Sequence, residues 1–398
     1  MNVRVWAWVA AMAAPAVAQD VSSRWMDRVL QELAVERGPL ERQTEVDVTG
    51  GVLAYHDDNI FLTEDDEESD TILVPFAQAR VLYTEEHLEL LGDLMGDYKA
   101  YSDNDDENGG EVRFHGRARY VGSEADVGVL AMVRRESDPV NSIFFDRVDR
   151  WVVDVHPRAG VDLTSVLTLE GNFLWQLVRF DEDLIADVRD NNNWRGALAA
   201  VYKTEGLFDF VVEGGVIGIE YLTDVAPPDV DGQFIRGGVR GRPAEDLDVQ
   251  ILVGYLHVES DDFPLGLEVE EDDTVDAMVL VRWKPEERWS FTGSYTRTAT
   301  FFGGADPWAI VNSIYGLLEY EIDEQWAVGG RVTYDILIGA LDTERNYLSV
   351  GGDITYRLIE NVVIEGGATY RNGETEPVGG PTTEYDNVLL FVGIAATY

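Results

Sequence analysis

Glu111-Val112-Arg113-Phe114-His115-Gly116-Arg117-Ala118-Arg119-Tyr120 is the stretch whose reading decides the fold. Glu111, Arg113, His115, Arg117 and Arg119 stand on one side of a two-residue period. Val112, Phe114, Gly116, Ala118 and Tyr120 stand on the other, the alternation of a β-strand with one polar and one apolar face. The same pattern returns in Leu88/Leu90/Leu94 against Glu89/Asp93/Asp97 and in Val275/Ala277/Val279/Val281/Trp283 against Asp276/Arg282.

Turn signals between these segments fall into two classes that alternate along the chain. Short ones, such as Gly122-Ser123-Glu124, Thr204-Glu205-Gly206 and Pro285-Glu286-Glu287, read as tight hairpins. Long polar ones lie between them, among them 56–70, 102–110, 181–193, 223–232, 259–273 and 372–384. Together they predict an all-β, closed, antiparallel up-and-down transmembrane barrel of about eighteen strands. A propeller is excluded, because each unit of ~40 residues holds two long strands and one tight turn rather than four short strands.

Tyr83, Tyr120, Tyr202, Trp283, Trp289, Tyr320, Trp326, Tyr356 and Tyr398 recur beside the short turns and read as an interfacial aromatic girdle. If the apolar stripe faces lipid, the charged stripe faces a lumen. Parity then assigns the lining to Arg80, Glu89, Asp93, Asp97, Arg113, Arg117, Arg119, Arg150, Glu170, Arg195, Glu213, Arg236, Arg240, Asp276, Arg282, Glu319, Arg331, Asp353 and Arg357. An arginine at lipid-facing Val279 should cost much more than one at its lumen-facing neighbour Met278.

The chain has 398 residues, no cysteine, 30 basic and 75 acidic residues and a net charge of −45, which sets aside nucleic acid as a partner. The run Val5 to Pro15 after Arg4, closed by Ala16-Val17-Ala18, reads as a signal peptide over 1–18 and places the mature chain in an extracytoplasmic compartment. Residues 19–43, with Trp25, Met26, Val29, Leu30 and Leu33 at helical spacing, predict a short periplasmic helix, and the barrel is expected over 44–398. An even strand number puts both termini on the periplasmic side of a Gram-negative outer membrane, among outer-membrane lipid and lipopolysaccharide.

No catalytic residues are assigned. The histidines His56, His87, His115, His156 and His257 form no serine-histidine-acid pattern, no cofactor is expected, and zinc ligands at the usual spacing are missing. Asp57, Asp58, Glu64, Asp65 and Asp66 read first as a solvated charge run on an exposed loop, and second as a nonspecific divalent-ion site.

The segment Tyr55-His56-Asp57-Asp58-Asn59-Ile60-Phe61-Leu62-Thr63 resembles the opening strand and loop of the outer-membrane β-barrel porin type 2 family. Asp97-Tyr98-Lys99-Ala100-Tyr101-Ser102-Asp103-Asn104 is similar to its third strand and following loop. The resemblance implies a passive outer-membrane conduit associated with exopolysaccharide export and periplasmic polysaccharide-export partners. A general diffusion porin for small solutes, or a closed structural or adhesive barrel with ion-binding acidic loops, is the alternative.

Overall fold

The computed structural model describes residues 40–64, 67–136, 149–181, 190–222, 228–260, 272–300, 308–340, 343–376 and 382–398. The signal-peptide and helix readings therefore lie outside the described residues. The first strands are β1 (Leu40–Asp57), β2 (Asp70–Glu86), β3 (Leu88–Tyr101), β4 (Gly109–Val121), β5 (Ala125–Glu136) and β6 (Arg150–Thr164). Next come β7 (Leu167–Phe180), β8 (Asn191–Tyr202), β9 (Phe208–Tyr221), β10 (Val230–Ala244), β11 (Leu247–Ser260) and β12 (Asp272–Trp283). The last are β13 (Trp289–Thr300), β14 (Ala309–Glu321), β15 (Trp326–Gly339), β16 (Glu344–Ile359), β17 (Val362–Glu376) and β18 (Thr383–Thr397).

Each strand pairs antiparallel with the next, and β1 pairs with β18, so the 18-stranded sheet closes on itself. The strands are joined alternately by tight turns at one rim and by longer connections at the other. One connection at the long-loop rim departs from expectation, because only residues 340–343 join β15 to β16. A second difference is that β1 begins at Leu40, pairing there with Glu86, so the wall starts at 40 rather than at 44.

Residues opposite each other across an antiparallel ladder share a face, so one strand's orientation fixes that of all the others. The outward face is apolar, with Leu73, Val81, Leu94, Phe114, Val129, Leu198, Val253, Val275, Ile314, Val350 and Ile394 exposed along successive strands. At the short-turn rim the outward rings pair across strands. Trp289 packs on Tyr320 with centroids 4.2 Å apart, and Trp326 packs on Tyr356 at 4.4 Å. Both are directly opposed residues in the ladder. Tyr83, Tyr120, Tyr202 and Trp283 take the same level and face, and Tyr398 exchanges backbone hydrogen bonds with Val48.

The seam between first and last strands is tied by side chains as well as by its ladder. Fully buried Asn59 donates from its amide to the carbonyls of Thr63 and Asp386, and its side-chain oxygen accepts from the Thr63 N–H. Asn387, also fully buried, donates to Asp57, and the Val388 N–H donates to Asp58. Asp57 and Asp58 are thus seam residues rather than solvated loop acids.

The wall is not evenly round. Gly254 on β11 lies opposite Arg236 on β10, and a Cβ there would come 1.9 Å from the Ile235 carbonyl oxygen and 2.4 Å from the Arg236 Cα. One on Gly238 would come 1.8 Å from the Ile251 oxygen. Inward-pointing glycines on facing strands let the sheet crease sharply at β10–β11. Beyond Ala277 and Arg297 the β12–β13 ladder stops, and Ala299, Trp308 and Ile310 join Ile219, Val230, Leu256 and Val258 in one buried apolar cluster. A second apolar cluster gathers Leu53, Tyr55, Ile72, Phe76 and Phe391 beside the seam. A polar lumen was the expectation. It fails where the wall folds onto itself: Ala299 and Ile310, of outward parity on β13 and β14, are buried against inward Ile219, Val230, Leu256 and Val258, and these side chains meet one another instead of water.

Candidate functional site: the charged interior

The ladder registers put every parity-assigned residue on the inward face. On β2 to β6, Arg80 opposes Asp93, Glu89 opposes Arg119, and Asp97 opposes Glu111. Arg117 reaches Glu89 at 2.7 Å, while Arg113 and Lys99 both reach Glu111 at 2.7 Å. Arg150 is inward at the long-loop end of β6 and buried. On β12 to β17, Arg282, Glu319, Arg331, Asp353 and Arg357 share the inward parity, with Glu319 accepting from Ser290 Oγ at 2.7 Å and Arg331 donating to Thr369 at 3.3 Å.

The densest group surrounds β10. Arg236 donates to Glu213 on β9 at 2.8 Å and to Asp276 on β12 at 3.0 Å. Asp276, with no exposed surface, also accepts from the Thr298 hydroxyl of β13 at 3.1 Å. Arg195 of β8 donates to that same hydroxyl at 3.2 Å, comes 4.0 Å from Asp276, and stacks 4.4 Å from the Phe234 ring centroid. One turn of the ladder toward the short-turn rim, Arg240 grips Glu170 of β7 through two hydrogen bonds of 2.6 and 2.8 Å. From β8 to β13 the wall measures roughly 24 Å at ~4.8 Å per strand. Arginine and threonine side chains cannot bridge that distance unless the wall bends inward, as the crease allows.

Sequence reasoning placed Arg195, Glu213, Arg236 and Asp276 on one face but did not bring them together. It placed Glu111 on the polar side of the stretch quoted first without counting it in the lining, and it passed over Asp126, Asp154, Thr298 and Phe234. The signal for the convergence was present in the paired inward glycines of β10 and β11.

Among the described residues no group of three or more histidine or acidic side chains is arranged to hold a metal ion. Of the acidic loop residues, Asp57 and Asp58 are engaged in the seam, Glu64 accepts from the Glu384 N–H at 3.4 Å, and Asp65 and Asp66 lie outside the described residues. His115 lies inward opposite Asp93, and His156 lies inward and buried opposite Leu130.

At the long-loop rim, outside the apolar belt, Asp70 caps the segment after β3. Burial opposes its charge, yet the N–H groups of Ser102, Asp103 and Asn104 and the Asn104 amide donate to it at 2.9, 3.2, 2.9 and 3.0 Å. The hydrogen bonds prevail and hold its pKa below the ordinary 3.8. A depressed carboxylate pKa contributes stability that is complete above the ordinary value and is lost as pH falls through the folded one. Amide protection factors at 102–104 should accordingly be flat near neutrality and collapse below pH 3.8, measured by hydrogen exchange with the intrinsic rate divided out. Asp70→Asn should lower the protection and remove its pH dependence; unaltered protection would refute the cap.

No known protein family matches the sequence, and no curated protein sequence does either. The resemblance to the β-barrel porin type 2 family therefore rests on its two short motifs, the first of which forms the seam. Similar solved structures include Pseudomonas aeruginosa OccK1 (OpdK), 12% identical over 91% of this chain and 100% of that one, with a TM-score of 0.46. P. aeruginosa OccK2 (OpdF), solved with glucuronate, is 13% identical over 90% and 99%, with a TM-score of 0.44. Acinetobacter baumannii OccAB3 is 10% identical over 89% and 100%, with a TM-score of 0.43. Likeness at that level says nothing about solute or partners.

Proposed function

We propose that the chain is a channel of the bacterial outer membrane for small hydrophilic solutes, with both described chain ends at the periplasmic rim. The observation that carries this reading is the division of the closed sheet into two faces. The outward face is an apolar belt bounded at one rim by packed tryptophan and tyrosine rings, and the inward face holds most of the strand charges. In a bilayer a closed sheet leaves no unpaired backbone, and the belt needs no other cover than acyl chains.

Small solutes suit the interior better than the exopolysaccharide strand implied by the sequence resemblance. The contacts of Arg195 with Thr298 and of Arg240 with Glu170 join strands that are not neighbours and draw that side of the wall inward, which narrows the bore and disfavours a continuous polymer. The polar arc formed by β2 to β6 and β13 to β17 remains as the wet path.

Single-channel recording of the refolded barrel in a planar bilayer tests the proposal. Steady openings that small solutes reduce are the expected result. A folded, inserted protein that carries no current would overturn it and support a closed structural barrel.

A further inference from the structure

Resting on the channel reading, we infer that the Arg195–Glu213–Arg236–Asp276–Thr298 group is the clasp that sets the aperture, with Asp276 as its keystone. Five strands contribute to it, and their ladder contacts do not require the group to exist, since consecutive strands would pair equally well around a rounder wall. What the clasp adds is a connection between strands that are not neighbours. Asp276 is the member that receives from both sides, taking Arg236 on one oxygen and Thr298 on the other. Phe234 lies under both guanidinium groups, at 4.4 Å from Arg195 and 5.4 Å from Arg236, and shields the ion pairs from water.

The β10–β11 crease makes this closure possible and the clasp holds it shut. Removing one member of a buried charge pair leaves its partner uncompensated, so the site gains by admitting water and relaxing outward. Aperture, and with it the largest solute that passes, is thereby assigned to a residue on the wall rather than to an inserted loop.

The test uses two readouts. Ala199 on β8 is buried opposite Glu213, and the chain has no cysteine, so Ala199→Cys is a unique reporter beside the clasp. In that background a charged, membrane-impermeant thiosulfonate should react slowly while the clasp is intact. Asp276→Asn should accelerate labelling by about tenfold or more and raise single-channel conductance by about half or more. Thr298→Val removes only the hydroxyl bridge and should give a smaller change in the same direction, which keeps the test decisive if Asp276→Asn fails to fold.

Labelling reports on the clasp without any current. A barrel that conducts but whose folded Asp276→Asn and Thr298→Val forms label and conduct as the parent does would overturn the clasp alone. A silent barrel whose labelling still accelerates would overturn the channel reading and leave the clasp standing.

Discussion

Val279→Arg is expected to cost about 2 to 4 kcal/mol of barrel stability in a bilayer, because Val279 faces outward near mid-strand on β12 and a guanidinium there has only acyl chains around it. The proper contrast is Thr296→Arg, on the inward face of β13 and partly exposed to the interior, which should cost much less. Met278, the neighbour that parity alone recommends as the control, is unsuitable. It does face inward, but it is 6% exposed and packed with Ala199, Val201, Val211 and Leu252, so an arginine there would be buried among apolar side chains. Urea titration of barrels folded into lipid vesicles, followed by heat-modifiable gel mobility, measures both. Equal penalties at 279 and 296 would refute the orientation of the wall.

Gly254→Ala is expected to be nearly as damaging, although it adds a single methyl group. That methyl would occupy the space of the Ile235 carbonyl and the Arg236 Cα, and neither is a side-chain end that can swing aside. The crease must open, breaking ladder hydrogen bonds and drawing Arg236 from Asp276, with a cost of about 3 kcal/mol or more. Gly92→Ala is the matched control, since nothing lies within 4 Å of a Cβ there. It should be neutral, or stabilising by roughly 0.5 kcal/mol through the lost freedom of the unfolded chain. The same vesicle titration decides, and a tolerated Gly254→Ala would show that the crease is not required.

The strands, their alternation of long and short connections and their orientation were legible in the sequence because each is local. Val112 and Arg113 declare opposite faces by adjacency, and Gly122-Ser123-Glu124 declares a turn in three residues. What escaped notice depends on partners far apart in sequence. Asp57 and Asp58 read as loop acids because Asn387 and Val388, which occupy them, lie at the other end of the chain. Glu213, Arg236 and Asp276 read as independent lining charges because Gly238 and Gly254, the only local trace of the wall folding between them, mark a crease only once β10 and β11 are paired. Ala197, Ala199 and Val201 hinted at the missing packing, since β8 is apolar on both faces there and a strand wetted on one face has no reason to be.

The pairing of β1 with β18 also governs how the molecule must be born. Thr49 finds Thr397, and Asn59 finds Asp386, only when almost the whole polypeptide has been delivered. Before that moment the nascent sheet has two raw margins, each able to recruit a stranger's backbone. Closing so long a loop carries a large entropic toll that no earlier contact defrays. Both margins therefore stay open to a stranger until the final strand arrives, and a polypeptide cut short of Asn387 would keep them bare for good.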